Sequence, residues 1–257
     1  MFKYINMKYV FIFLTLIIHN QIFLNIVKAE DITISSNHSS QIVMSNNDTL
    51  TVESGVTVDT SAAEPVELEG HTFSTSSTTI TNNGTIIGTT KGIEADQSTD
   101  FSIDNSGTVS VTDNANSPGS ALSLLQSRGT VSIVNSGTLE SERADTIKLH
   151  PSFGTVTINN SGNITSSKDR TINFGQHANA GTITNSGTIT ATGGNGFEIN
   201  NVNDVTVTNT GTISATGDAI FGIGDNGSNG NIIVNKGTIS SGSSLSLIHI
   251  SEPTRPY

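Results

Sequence analysis

Between residues 80 and 239 β-branched aliphatic residues alternate with small polar ones, and one phrase returns seven times: ITNNGTI at 80–86, IDNSGTV at 103–109, IVNSGTL at 133–139, INNSGNI at 158–164, ITNSGTI at 183–189, VTNTGTI at 207–213 and IVNKGTI at 233–239. The central glycines are Gly84, Gly107, Gly137, Gly162, Gly187, Gly211 and Gly237, separated by 23, 30, 25, 25, 24 and 26 residues. Ile or Val stands four positions before each glycine, and an aliphatic residue stands two after it. A period in this range marks a solenoid or propeller. Alternation with period two on both sides of Asn-x-Gly gives two short strands joined by a tight corner, and helical spacing is absent.

The corner residues carry two expectations. Each glycine is expected to supply a positive φ that other residues reach only at a cost. Two positions before it every copy has Asn: Asn82, Asn105, Asn135, Asn160, Asn185, Asn209 and Asn235. By the period of two this Asn faces the same side as the preceding aliphatic residue, into the core. Stacked amides there would form a ladder; as turn formers they would instead bond their own backbone, and both arrangements are compatible with one structure.

A third apolar element recurs about ten residues after the glycine, at Ile93, Ile147, Ile172, Phe197 with Ile199, and Ile220. In the second copy it is displaced to Leu122 and Leu124, which accounts for the 30-residue spacing if Asn116, Ser117, Pro118 and Gly119 form an outward loop. Three strands per coil of about 25 residues predict an all-β fold, a right-handed parallel β-helix. Seven coils would make a rod on the order of 35 Å long. Upstream, DTLTVESGVTV (Asp48 to Val58) reads as an eighth, degenerate coil. Residues 30–47 are then expected to cap it, because an open end exposes unpaired strand edges. The repeat domain spans 48–244.

The ends differ from this pattern. Residues 1–29 order a basic start (Lys3, Lys8), an apolar run VFIFLTLII (Val10 to Ile18) and Val27-Lys28-Ala29. That is the order of a secretory signal peptide, cleaved after Ala29, and Met7 is an alternative start. A spanning helix would need about 20 apolar residues, and His19, Asn20, Gln21 and Asn25 interrupt the run. At the other end, Leu245 to Arg255 look like the in-frame translation of a transposon-end sequencing adapter. Residues 245–257 are therefore expected to be a non-native tail on a truncated chain.

Residues 30–244 carry seven Lys and Arg against 21 Asp and Glu, a net charge of −14, where the whole chain has −11. No basic face is present to neutralise phosphates, which disfavours a nucleic-acid partner. An acidic surface suits an exported protein that must stay soluble. There is no cysteine, although the leader directs the chain to a compartment where disulfides form. Small polar composition with few aromatics is typical of disorder, but the regular apolar period argues for a packed core.

The [IV]-x-N-[ST]-G-T-[IV] phrase, repeated after a signal peptide in a cysteine-free chain, resembles the passenger domain of bacterial autotransporters, which have a pectate-lyase-like β-helix. The resemblance covers residues 30–244. It implies a passenger that crosses the outer membrane of a Gram-negative cell through a C-terminal β-barrel and folds outside. It further implies a cell-surface or released rod, an adhesin or stalk, with surface glycans or proteins as partners and no cofactor. Absence of cysteine fits passage through a narrow pore. The barrel itself is not in this sequence, and similar coils occur in two-partner secreted haemagglutinin-like exoproteins, whose pore is a separate protein.

Chemistry is sparse. GDNGSNG (Gly224 to Gly230) resembles a serine-protease nucleophile loop, but Asn226 stands at the nucleophile position. GGNGFE (Gly193 to Glu198) resembles one calcium-binding nonapeptide, and such sites need stacked copies. His38, His71, His150 and His177 lie in separate repeats without ligand spacing, so no metal site is expected. The enzymatic alternative rests on Asp145 and Asp169, eight and seven positions after their glycines in successive coils, with Arg143 and Arg170 beside them. Stacked coils bring such groups within about 5 Å, the arrangement polysaccharide lyases and hydrolases use. The simpler expectation is that each Asp opens a turn before the third strand, as Asp218 does, and that the rod is not an enzyme.

Overall fold

The computed structural model describes residues 29–45, 47–60, 64–68, 77–112, 119–149, 154–175, 180–222 and 230–243. Residues 1–28, which hold all but Ala29 of the expected signal peptide, residues 116–118, His71, His150, His177, most of GDNGSNG, and everything from Ser244 onward lie outside the described residues.

The described chain is a parallel β-solenoid of the right-handed type, with three sheets and no helix. The first sheet stacks nine strands, beginning with Asp31–Ile34 and Thr49–Val52, continuing through the six-residue strands Ser77–Asn82, Asp100–Asn105, Thr130–Asn135, Thr155–Asn160 and Ala180–Asn185, and ending with Val205–Asn209 and Ile232–Asn235. Eight strands follow the corner glycines into the second sheet, from Thr57–Asp59 to Thr238–Ser241. The third sheet also has eight, from Ile42–Met44 to Ile220–Phe221. Every strand ladder is parallel, and seven consecutive coils contribute a strand to all three sheets.

Register follows the aliphatic positions. In the first sheet Ile80, Ile103, Ile133, Ile158, Ile183 and Val207 sit over one another. Across the corner Ile86, Val109, Leu139, Ile164, Ile189 and Ile213 do the same. In the third sheet Leu122 pairs with Ile93 below and Ile147 above, so the longer second copy keeps register. These side chains meet in one continuous core and are essentially inaccessible. Each fully buried aliphatic side chain contributes about 1.5–3 kcal/mol of transfer free energy, the route to stability open to a chain without disulfides. Phe174 packs its ring over Gly181, where a Cβ would come within 2.5 Å of the ring.

The corner glycines do not take a positive φ. Among the described residues only Gly55, Gly129, Gly222 and Gly230 do so among the glycines, and none of the seven repeat glycines is one of them. Their requirement is space. A Cβ on Gly137, Gly162, Gly187, Gly211 or Gly237 would stand 2.0–2.1 Å from the carbonyl oxygen of the glycine one coil earlier. The coils approach so closely there that no side chain fits, whatever the backbone angles. Positive φ appears instead at Gly55, in the degenerate coil whose corner from Val52 to Thr57 is two residues longer, and there a Cβ would meet nothing.

The asparagines behind these glycines form a continuous ladder, buried from Asn82 to Asn209 and exposed at Asn235. Asn82 Nδ2 donates to Asn105 Oδ1 at 2.7 Å, and the pattern repeats through Asn135, Asn160, Asn185 and Asn209 to Asn235 at 2.7–2.8 Å. From Asn105 onward each amide also donates to the carbonyl of its own corner glycine, at 3.2–3.3 Å. Coil-to-coil and local bonds thus coexist. Asn82 Oδ1 has no donor among the described residues, because the preceding coil places Val52 at this position.

Residues 31–44 are built from the same strands as the repeat. Asp31–Ile34 extends the first sheet, His38 bridges Val58 beside the second, and Ile42–Met44 extends the third. The segment expected to cap the coils continues their sheets as one more partial coil, whose strands pair with the edges of the coil beneath.

Candidate functional site

The outward row of the third sheet is where charge collects. In register along the axis it reads Glu67, Glu94, Ser123, Lys148, Asn173, Glu198 and Phe221. The equivalent outward row that opens the second sheet is Thr85, Thr108, Thr138, Asn163, Thr188 and Thr212. The period of two decides that these residues face out; coil stacking decides which become neighbours.

A cleft of about 390 Å³ opens on this row, lined by Arg143, Ala144, Asp145, Lys148, Asp169, Arg170, Asn173 and Glu198. All four sequence candidates, Asp145, Asp169, Arg143 and Arg170, are therefore on one cleft. Arg170 is its centre. It stands two residues before Ile172, as Asp145 stands two before Ile147, and Ile147 pairs with Ile172, so the guanidinium lies one coil above the carboxylate. Nε of Arg170 donates to Asp145 Oδ1 at 2.7 Å and lies 3.3 Å from Asp169 Oδ1; one terminal nitrogen of the same guanidinium donates to Glu198 Oε2. Asp145 is 4% exposed, and its second oxygen accepts from Asn173 Nδ2 at 2.8 Å. Both of its oxygens are occupied by donors from the next coil.

The two aspartates differ. Asp169 is 43% exposed, and its Oδ1 accepts from the backbone N–H of Arg170 at 3.0 Å. That bond is the local turn role expected of it; Asp145 bonds across coils instead. Partial burial, and then the negative charge of Asp145, push the Asp169 carboxyl above its ordinary value, more than Arg170 pulls it down. Burial alone would lower the Arg170 pKa, but the Glu198 bond and the Asp145 charge outweigh it and hold the guanidinium more firmly protonated.

Three polar residues of the cleft, Lys148, Asn173 and Glu198, are not among the candidates that the sequence offers. Glu198 stands in the sequence only as the last residue of GGNGFE. The glycines of that phrase serve stacking: a Cβ on Gly193 or Gly194 would lie 2.6–2.7 Å from the backbone of Lys168 or Asp169. Glu198 itself reaches back to Arg170. Asn173, 6% exposed, joins Asp145, while its own Oδ1 is buried with no donor among the described residues. Lys148 has no ion pair among the described residues, since its register neighbours are Ser123 and Asn173. The available signal was their shared phase, one residue after the inward aliphatic residue of each third strand.

Lower on the same face, Lys91 bonds Glu94 and lies 3.5 Å from Asp96, whose Oδ1 accepts from Ser123 Oγ and from the Leu125 N–H. Burial raises the Glu94 pKa despite Lys91. Among the described residues no cluster of His, Cys, Asp and Glu has the makings of a metal site. No family profile, curated protein or solved structure matches this chain.

Proposed function

We propose that the protein is an exported passenger-type rod, displayed on the cell surface or released, which presents a non-catalytic binding face as an adhesin or stalk. The observation that carries this reading is the unbroken coil register, with its buried asparagine ladder, set beside a charged cleft whose most buried acid has both oxygens taken by Arg170 and Asn173. A carboxylate whose two oxygens already accept from Arg170 and Asn173 has no oxygen left to turn toward a substrate. Leader-like residues 1–29, the cysteine-free composition and the resemblance to autotransporter passengers support export. An outer-membrane β-barrel, in the same polypeptide or a separate one, is the partner this route requires. The test is expression in a Gram-negative host with an antibody against the repeat. Protease treatment of intact cells should remove the signal, or the signal should appear in the medium; protection inside the cells would reject the reading.

A carbohydrate-active enzyme is the second reading, favoured by one observation: Asp145, Asp169 and Glu198 surround a single cleft with Asp169 raised in pKa. Cleavage of polysaccharides by the parent but not by Asp169→Asn would establish it. Equal product from both, or none, returns the cleft to binding.

A further inference from the structure

Four successive coils present Lys148, Asn173, Glu198 and Phe221 in one outward row. Neighbours in such a row are about 4.8 Å apart along the axis. The row therefore orders an ammonium, a carboxamide, a carboxylate and an aromatic ring on a line. Phe221 lies just beyond the cleft and is half-buried, although its strand neighbour Ile220 already supplies the core. An outward phenyl ring in such a row contributes nothing to the interior.

Two groups are left with something to bind. The Oδ1 of Asn173, a side chain more than nine-tenths buried, has no donor among the described residues, and a buried acceptor without a partner costs about 1–3 kcal/mol. Lys148 is the cation of this row with no carboxylate on it among the described residues. Around the cleft the cations Arg143, Lys148 and Arg170 balance the carboxylates Asp145, Asp169 and Glu198, within a chain of net charge −11. That balance gives an anion no net attraction, and the charge of the whole molecule repels it.

The geometry points to a binding site for a short neutral oligosaccharide lying along the rod axis, its hydroxyl edge on Lys148, Asn173 and Glu198 and an apolar ring face on Phe221. Glu198 accepts from sugar hydroxyls, Lys148 donates to them, and a hydroxyl supplies the donor that Asn173 Oδ1 lacks. The ring of Phe221 covers the C–H face of a pyranose, as an aromatic anchor beside a few placed polar groups does in other small-molecule sites. Arg170 is a positioning residue, since it holds Glu198 in the row. The inference rests on the proposal that the rod is a non-catalytic binding face.

The experiment presents the purified full-length chain to an array of neutral oligosaccharides of glucose, mannose, galactose and N-acetylglucosamine, and to uronate-containing counterparts. The tightest is then titrated calorimetrically at low and high salt. The expected result is binding of a neutral series, insensitive to salt, weakened about tenfold or more by Phe221→Ala and by Asn173→Ala and unchanged by Glu94→Gln. Thermal melts accompany each variant. If Asn173→Ala unfolds because Asp145 loses its partner, Phe221→Ala decides, since that ring supports no core. Absence of neutral binding, binding confined to uronates and abolished by salt, or equal affinity in Phe221→Ala would overturn the site. Reducing ends are measured in the same mixtures: release by the parent would overturn the non-catalytic reading and leave the site standing. Absence of binding by a chain that is nevertheless displayed on cells would overturn the site alone.

Discussion

Asn135 donates its side-chain amide to Asn160 Oδ1 across 25 residues of sequence at 2.7 Å, and each partner repeats the gesture to its own neighbour. Each interior member is both donor and acceptor and is buried. Asn160→Ala should therefore remove the side-chain acceptor of Asn135 Nδ2, which keeps backbone carbonyls, and leave Asn185 Oδ1 without its donor, at a cost of about 1–3 kcal/mol. Asn160→Asp should cost more, because it removes the donor and buries a charge. Asn235→Ala, at the exposed last rung, should cost under about 1 kcal/mol. Urea unfolding of the three variants checks the order.

The corner glycines separate two kinds of requirement. Gly162→Ala would place a methyl group 2.1 Å from the Gly137 carbonyl oxygen, a backbone atom that has nowhere to go. It should destabilise by about 3 kcal/mol or more. Gly55→Ala meets open space but holds a φ of +79°, and should cost only about 1 kcal/mol. Chemical denaturation of the pair distinguishes a steric from a conformational demand; equal losses would contradict it.

The two aspartates of the cleft should behave oppositely. Asp145→Ala strips partners from Arg170 and Asn173 and should destabilise by about 1–3 kcal/mol at neutral pH. Asp169 has a folded pKa above its unfolded one, so its contribution is present below the unfolded value, about 3.9, and is lost as pH rises through the folded value. Asp169→Asn, which cannot ionise, should thus equal or slightly exceed the parent in Tm at pH 7. That difference should close as pH falls below the ordinary carboxylate range. Thermal melts between pH 3 and pH 8, a window of about this width around the shift, follow the sign.

Arg170→Lys keeps the charge and loses the fork. A single ammonium cannot hold Asp145 and Glu198 on separate guanidinium nitrogens in the same planar geometry. Stability should fall by about 1–2 kcal/mol. In a double-mutant cycle, Glu198→Gln should cost less in the lysine background than in the parent.

Much of the architecture is legible in particular residues. Ile80 through Ile233 mark the first strand of each coil, Ile86 through Ile239 the second, and the asparagine two before each glycine faces inward as the period of two requires. The glycine itself is readable as a corner but not for the right reason: a positive φ is a property of one residue, whereas the contact between Gly137 and Gly162 exists only once two coils are stacked. In the cleft, Asp145 and Asp169 come from the same reasoning about successive coils, yet they stand one position out of phase, and Arg170, not Asp169, lies in line above Asp145. Lys148, Asn173 and Glu198 escaped because outward strand positions bear no hydrophobic signal.

The sequence by itself determined the coil, its three strands, its inward and outward faces and its corner, because alternation and turn chemistry are local and act within a few residues. Tertiary structure decided how closely the coils pack, which amide bonds which, and which charges share a cleft. Those contacts join residues 23–30 positions apart, and the loops between strands absorb the differences in coil length, so the ladder and core stay in register. Chemistry at the surface of a solenoid is a property of stacking, and stacking is fixed by the core and by the lengths of the loops between its strands.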